Sequence, residues 1–290
     1  MTKPRFQIRP LHPLFGAEVT GLDLAAADDA AIAEIQQTIG HYGVLAFPGV
    51  TFDDDALAAF ARRLGPLQNL TSRAGKVLEV TRVSNLDAMG AMLPADSKRR
   101  ANDDANQFWH VDSTYLTPGA TYSLLHARII PDEGGDTEYC DARIAWEALP
   151  ADRQAELGAL TADHSVRHSR RLIGYEIPEG ITGAAYPAVR HRLVRRHAPS
   201  GRDALLVASH IEAIAGMTYA DARALVEELT GVAAAPNRVY RHKWRVGDLL
   251  MWDNRCMMHR ATPFPQMAQA RDMRSVRVID PDDAGMATTG

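Results

Sequence analysis

Only two cysteines, Cys140 and Cys256, occur in 290 residues, so the chain supports neither a disulfide framework nor a cysteine-rich zinc module. Both are read as reduced thiols used in packing. No run of about 18 apolar residues occurs, which leaves no membrane span to expect. Residues 1–13 carry Lys3, Arg5 and Arg9 and lack the continuous apolar stretch of a secretory signal, so the expected compartment is the cytoplasm. A large excess of either positive or negative residues is also missing. A formal net charge of -4 provides no basic field for phosphate backbones, and a nucleic-acid partner is not expected. No repeat, low-complexity tract or linker divides the sequence, and a single domain over residues 1–290 is expected. What is present is an ordinary globular composition, 46% hydrophobic and 23% charged, which argues for a sizeable core.

Ile32, Ile35 and Ile39 recur at helical spacing within residues 28–40, and residues 44–47 then read as a short buried strand closed by Pro48 and Gly49. Leu57, Phe60, Ala61 and Leu64 mark a second helix, introduced by Thr51 and ended by Gly65 and Pro66. Further helices are expected over residues 150–160 and from Thr218 to a stop at Gly231. Strands are expected over residues 121–129, 239–246, 249–252, 256–259 and 273–279. The polar segment 87–108, with Lys98, Arg99 and Arg100, predicts a long loop at the active site, and residues 281–290 a flexible tail. The pattern is that of a β-sandwich core with helices packed outside it.

His110, Val111 and Asp112 form an HxD triplet. Alternate side chains of an extended segment point to the same side, so this imidazole and carboxylate can converge on one ion. His259, which follows a strand and turn signal, is the proposed third ligand. Two imidazoles and a carboxylate on one face of an octahedron leave three positions open, the arrangement that non-heme Fe(II) oxygenases use. Alone, the triplet is a weak signal, because chance produces it freely.

Several separate blocks agree in order. Residues 106–115 (NQFWHVDSTY), 134–137 (GGDT), 252–255 (WDNR) and the pair His259 and Arg260 resemble the TauD/TfdA family of 2-oxoglutarate-dependent dioxygenases. The resemblance runs from Leu11 to Asp280 and is nearest to 2,4-dichlorophenoxyacetate dioxygenases and other aryloxyalkanoate-cleaving relatives. It implies an α+β fold with a double-stranded β-helix (jelly-roll, cupin-like) core and flanking helices. By the same resemblance His110, Asp112 and His259 hold Fe(II), Thr137 and Arg271 contact 2-oxoglutarate, and Asn106 lies near the iron and the substrate. A guanidinium offers the planar fork that a carboxylate needs.

Arg271 stands twelve residues after His259, one more than in close relatives, which makes Arg274 its rival for the co-substrate. Relatives that take taurine or phenoxyacetate carry a further arginine four residues after the co-substrate arginine, to hold the substrate's anionic group; here that position is Ser275. The role then falls to Arg274 or Arg277, and Arg277 shares a strand face with Arg271, Met273 and Ser275. The implied reaction consumes O2 and 2-oxoglutarate and hydroxylates a small organic acid. For an aryloxyalkanoate, hydroxylation beside the ether oxygen releases a phenol and an oxo acid, with succinate and CO2 as co-products. A homo-oligomer is implied by the resemblance alone. The alternatives are a taurine, alkanesulfonate or other organic-acid dioxygenase, a zinc-dependent hydrolase, and a non-catalytic metal-binding module. Trp109 and Trp252 are read as core aromatics, and His164, His168, His191, His197, His210 and His242 as surface or hydrogen-bonded core groups.

Overall fold

Side chains along the strand Leu249–Asp253 alternate between two hydrophobic clusters: Leu249 and Met251 enter one, Leu250 and Trp252 the other. This strand is central in a seven-stranded sheet, ordered Gln7–Pro10, Ala17–Thr20, Val44–Phe47, Leu249–Asp253, Ala120–Ile129, Asp272–Ile279 and Thr81–Ser84. All neighbours are antiparallel except Ala17–Thr20 with Val44–Phe47. The computed structural model describes residues 5–71, 77–97, 100, 104–177 and 187–281. Of the expected loop 87–108, Lys98, Arg99 and residues 101–103 lie outside that description, as do residues 282–290 of the expected tail.

On one face of the large sheet the helices Asp29–Tyr42 and Asp54–Leu64 pack Ile32, Ile35, Ile39, Leu57 and Phe60 against Leu124, Met251, Val276 and Val278. The other face meets a three-stranded antiparallel sheet, Tyr240–His242, Thr137–Asp141 and Met257–Ala261, through Leu125, Trp252 and Tyr139. The result is a mixed α and β fold of several sheets, with its chemistry-bearing residues between the large sheet and this smaller one. Among the described residues no helix is long and apolar enough to cross a membrane.

Several expectations need correction. The helix after residue 51 is capped by Asp53, whose carboxylate accepts the Ala56 N–H, so Thr51 is not the cap. The helix begun by Thr218 runs from Tyr219 to Ala233, past Gly231, because Ala233 is buried and its packing outweighs the roughly 1 kcal/mol that an internal glycine costs. Within residues 150–160 only Ala151–Leu157 is helical, and a short helix, Ala142–Glu147, precedes it behind an Asp141 cap. The strand expected over 239–246 is only Tyr240–His242, since the chain turns where the Arg245 N–H bonds the Asp248 carboxylate. The sheet of Val189–Arg192, Thr161–His164 and Ile211–Ile214 went unrecognised because arginine and histidine interrupt its period.

All six histidines left open between surface and core are buried. His242 pairs with Asp248 and His197 with Asp253, each at 3.1 Å, and His191 Nε2 bonds the Thr114 carbonyl at 2.7 Å. Among the described residues His164 has no hydrogen-bond partner at either ring nitrogen. Burial pushes His191 down from 6.5 to about 4 and His164 well below its ordinary value. The folded state therefore refuses protons that the unfolded chain accepts. Stability should be intact above pH 6.5 and fall as pH drops from 6.5 through about 4, by about 3 kcal/mol for His191 alone. Urea melts at pH 7.5, 6, 5 and 4 check this; a midpoint unchanged down to pH 5 would contradict it.

Candidate active site

Two remote segments meet through a backbone bridge. His110 and His259 exchange both N–H···O bonds, at 2.9 and 3.0 Å, which adds the His110 segment to the free edge of Met257–Ala261. Their rings face each other at 4.2 Å between centroids. Asp112 follows where the chain leaves the extended form, just before Ser113 takes φ 56°. Its two oxygens lie 3.8 Å from His110 Nε2 and 3.8 Å from His259 Nε2. One donor atom from each of the three residues falls within 4.8 Å of the others, a set able to hold a metal ion.

The surroundings fix the protonation each group needs as a ligand. His110 Nδ1 donates to the Phe108 carbonyl at 2.8 Å, which leaves the Nε2 lone pair facing the cluster. Burial holds His110 below its ordinary value, and burial together with neighbouring His110 lowers His259 to about 3, so both rings are neutral at pH 7. Burial alone would raise Asp112, but the Arg277 charge and the Ser123 hydrogen bond oppose it and keep the carboxylate ionised. Ser123 Oγ donates to one carboxylate oxygen at 2.7 Å and Arg277 Nη2 to the other at 3.2 Å. Asn254 links the Asp112 N–H to Ser123 and to the Trp252 indole.

The cluster opens into a cavity lined by Val83, Asn106, Leu125, Thr137, Trp252, Ala261, Arg271, Ser275 and Arg277. Thr137 begins the strand Thr137–Asp141, and its hydroxyl accepts the Trp244 indole N–H at 3.0 Å, so its own proton can point at a ligand. The preceding glycines explain the GGDT block. A Cβ at Gly134 would stand 2.2 Å from the Pro263 carbonyl oxygen and one at Gly135 3.2 Å from the Arg271 side chain, and both residues have φ 68°. Gly135 O in turn accepts Arg271 Nε at 3.1 Å.

Of the residues singled out from sequence, His110, Asp112, His259, Thr137, Asn106, Arg271 and Arg277 are brought to one cavity. Arg274 is not. It lies three positions after Arg271 on the strand Asp272–Ile279 and so points through the opposite face of the sheet, where it pairs with Asp54 at 3.1 Å and Asp272 at 2.8 Å. Trp252, read as a core aromatic, also walls the cavity and packs on His259 with centroids 4.6 Å apart. Ser123 was missed; a small polar residue on an inward strand face beside Leu125 is the signal that could have shown it. A second close group among the described residues, His197, Asp253 and Cys256, is a hydrogen-bonded junction. There Arg255 and His197 occupy the carboxylate, and burial pushes the thiol up.

The model of the family described as "Taurine catabolism dioxygenase TauD, TfdA family" matches residues 7–277. The chain is 40% identical over 278 residues to the alpha-ketoglutarate-dependent 2,4-dichlorophenoxyacetate dioxygenase of Cupriavidus pinatubonensis, covering 93% of this chain and 96% of that one. It is 35% identical over 287 residues to the (S)-phenoxypropionate/alpha-ketoglutarate-dioxygenase of Sphingobium herbicidovorans, with 95% of each covered. The crystal structure of AAD-2 in complex with Mn(II) and N-oxalylglycine superposes with a TM-score of 0.87 at 35% identity, over 96% of this chain and 97% of that one.

Proposed function

The chain belongs to the TauD/TfdA family of 2-oxoglutarate-dependent dioxygenases, and from that premise we propose that it cleaves small aryloxyalkanoates by hydroxylating the carbon beside the ether oxygen. The supporting observation is a second cation, the half-buried Arg277, in the same cavity as the His110, Asp112 and His259 cluster. The donor set suits Fe(II): two neutral imidazoles and one ionised carboxylate on one side of an open cavity leave positions for further ligands. When bound, Fe(II) with 2-oxoglutarate and O2 supplies the oxidising power that places a hydroxyl on a C–H bond as 2-oxoglutarate becomes succinate and CO2. The seven-stranded sheet and the three-stranded sheet are read as the two walls of a double-stranded β-helix. Family membership leaves no support for the zinc-hydrolase and non-catalytic readings.

The chain's own residues bind, orient and exclude water. Arg271 presents a fork to the distal carboxylate of 2-oxoglutarate, and the Thr137 hydroxyl, already taking the Trp244 N–H, donates its proton to the same molecule. Ser123 and Arg277 hold the Asp112 carboxylate at a fixed angle. Val83, Leu125, Trp252 and Ala261 form an apolar wall for an aryl ring, while Arg277 takes the anionic group that Ser275 is too short and neutral to hold. Asn106 lines the same cavity and orients the substrate.

The test is phenol release, with matching succinate, by iron-loaded protein over a panel of phenoxyacetates and phenoxypropionates. Arg277→Met should raise KM for the active member about 10- to 100-fold, the value of a charge-assisted hydrogen bond. No phenol from any member rejects the proposal, and sulfite release from an alkanesulfonate panel would replace it.

A further inference from the structure

Asn85 follows the strand Thr81–Ser84, is 5% exposed, and has every side-chain hydrogen-bonding atom engaged. Nδ2 donates to the carbonyl oxygens of Gln266 at 2.9 Å and Gln269 at 2.8 Å. Oδ1 accepts the Arg271 N–H at 2.8 Å, and the Asn85 N–H donates to the Arg271 carbonyl at 3.2 Å. We infer that Asn85 is a positioning residue for the co-substrate: it clamps residues 266–271 so that the Arg271 guanidinium is aimed into the cavity. The inference rests on the reading of Arg271 as the co-substrate arginine.

Arg271 sits where an irregular loop enters the strand Asp272–Ile279, and its neighbours before that strand have no ladder to hold them. The bond from Arg271 Nε to Gly135 O forms only when the backbone at residue 271 is anchored, because the direction of a long side chain follows the backbone dihedrals of its own residue. Asn85 supplies that anchor on one side. On the other, Gln269 Oε1 accepts the N–H groups of Asp132 at 2.7 Å and Glu133 at 3.3 Å, so the loop is stretched between two fixed walls. Asn85 and Gln266 line the concavity that adjoins the metal cavity and shares Arg271 with it. Because both amide donors and the amide oxygen are already bonded within the protein, Asn85 acts through Arg271 and not on a ligand directly. No other side chain does this job as well as asparagine. Aspartate keeps the shape and the acceptor but turns an oxygen toward two carbonyl oxygens, and alanine loses all three bonds.

The experiment is calorimetric titration of N-oxalylglycine into the Mn(II)-loaded full chain, for the wild type, Asn85→Ala, Asn85→Asp and Arg271→Gln. Mn(II) affinity is measured separately, and amide hydrogen exchange is followed over residues 263–271. Both Asn85 variants should bind N-oxalylglycine about 10- to 100-fold more weakly with Mn(II) affinity unchanged, and their 263–271 amides should exchange faster. Should Arg271→Gln lose binding while both Asn85 variants keep wild-type affinity, the clamp is overturned and the reading of Arg271 stands. If Arg271→Gln binds as the wild type does, the reading of Arg271 itself falls and takes the clamp with it. A wild-type measurement covers variants that fail to fold: the Arg271 amide must exchange slowly before any ligand is added, and fast exchange there overturns the inference.

Discussion

Asparagine in place of Asp112 is expected to lower 2-oxoglutarate-dependent succinate formation about 10³-fold, and also to destabilise the metal-free chain. The first effect follows from charge. A neutral amide keeps an oxygen at the site but removes the one anionic donor between two neutral imidazoles, and a positioned metal supplies several kcal/mol at about 1.4 kcal/mol per tenfold in rate. The second follows from Arg277, whose side chain is 20% exposed and pairs with Asp112 at 3.2 Å. Removing the carboxylate strands a largely buried cation. Its remaining exposure puts the loss at the low end for such pairs, about 2–3 kcal/mol, or roughly 5–10 °C in Tm. Arg277→Met in the same chain should restore the Tm without restoring turnover, because only the first effect concerns the metal. Thermal melts in a chelator and succinate assays in iron separate the two. Wild-type turnover by Asp112→Asn would remove Asp112 from the ligand set.

How much of this site could be read from sequence depended on whether a residue's role is set by local geometry or by folding. The triplet at residues 110–112 and the alternation around Arg277 are local: parity along one strand separates Arg271, Met273, Ser275 and Arg277 from Arg274, and the structure places them that way. The meeting of His110 with His259 is not local, and only the ordered family blocks brought them together in the sequence reading. The roles of Ser123, Asn254 and Asn85 escaped for a different reason. Each is a small polar residue whose partner comes from 11, 142 and 186 residues away, so its own neighbourhood, even the inward strand face of Ser123 or the 252–255 block of Asn254, does not say what it bonds. The buried histidines follow the same rule, since His164 and His191 are internal only because their strands pair beneath Thr114. Helix ends were read within a few residues, but Gly231 misled because the burial of Ala233 decides more than the propensity of one glycine.

The largest loss of stability from a single change outside the cavity is expected at Arg143. Its side chain is fully buried, and Nε and Nη2 bond the Asp141 carboxylate at 3.0 and 2.6 Å. Nη1 and Nη2 also donate to the carbonyls of Gly40 at 2.7 Å and His41 at 3.1 Å. Those carbonyls belong to the last turn of the helix Asp29–Tyr42, where no intrahelical donor remains and the dipole is negative, so one guanidinium closes a helix end and neutralises a buried acid together. Arg143→Met has a similar volume and none of these donors. It leaves the buried Asp141 carboxylate without its cation, and the expected cost is about 3–5 kcal/mol, roughly 10 °C in Tm. Adding Asp141→Asn should recover part of that loss, because the stranded charge is gone, but not all of it, because Gly40 and His41 still lack donors. A melt of Arg143→Met within 2–3 °C of the wild type, on the order of 1 kcal/mol, would show that water or a shifted side chain replaces the guanidinium and that this junction does not hold the helix to the sheet.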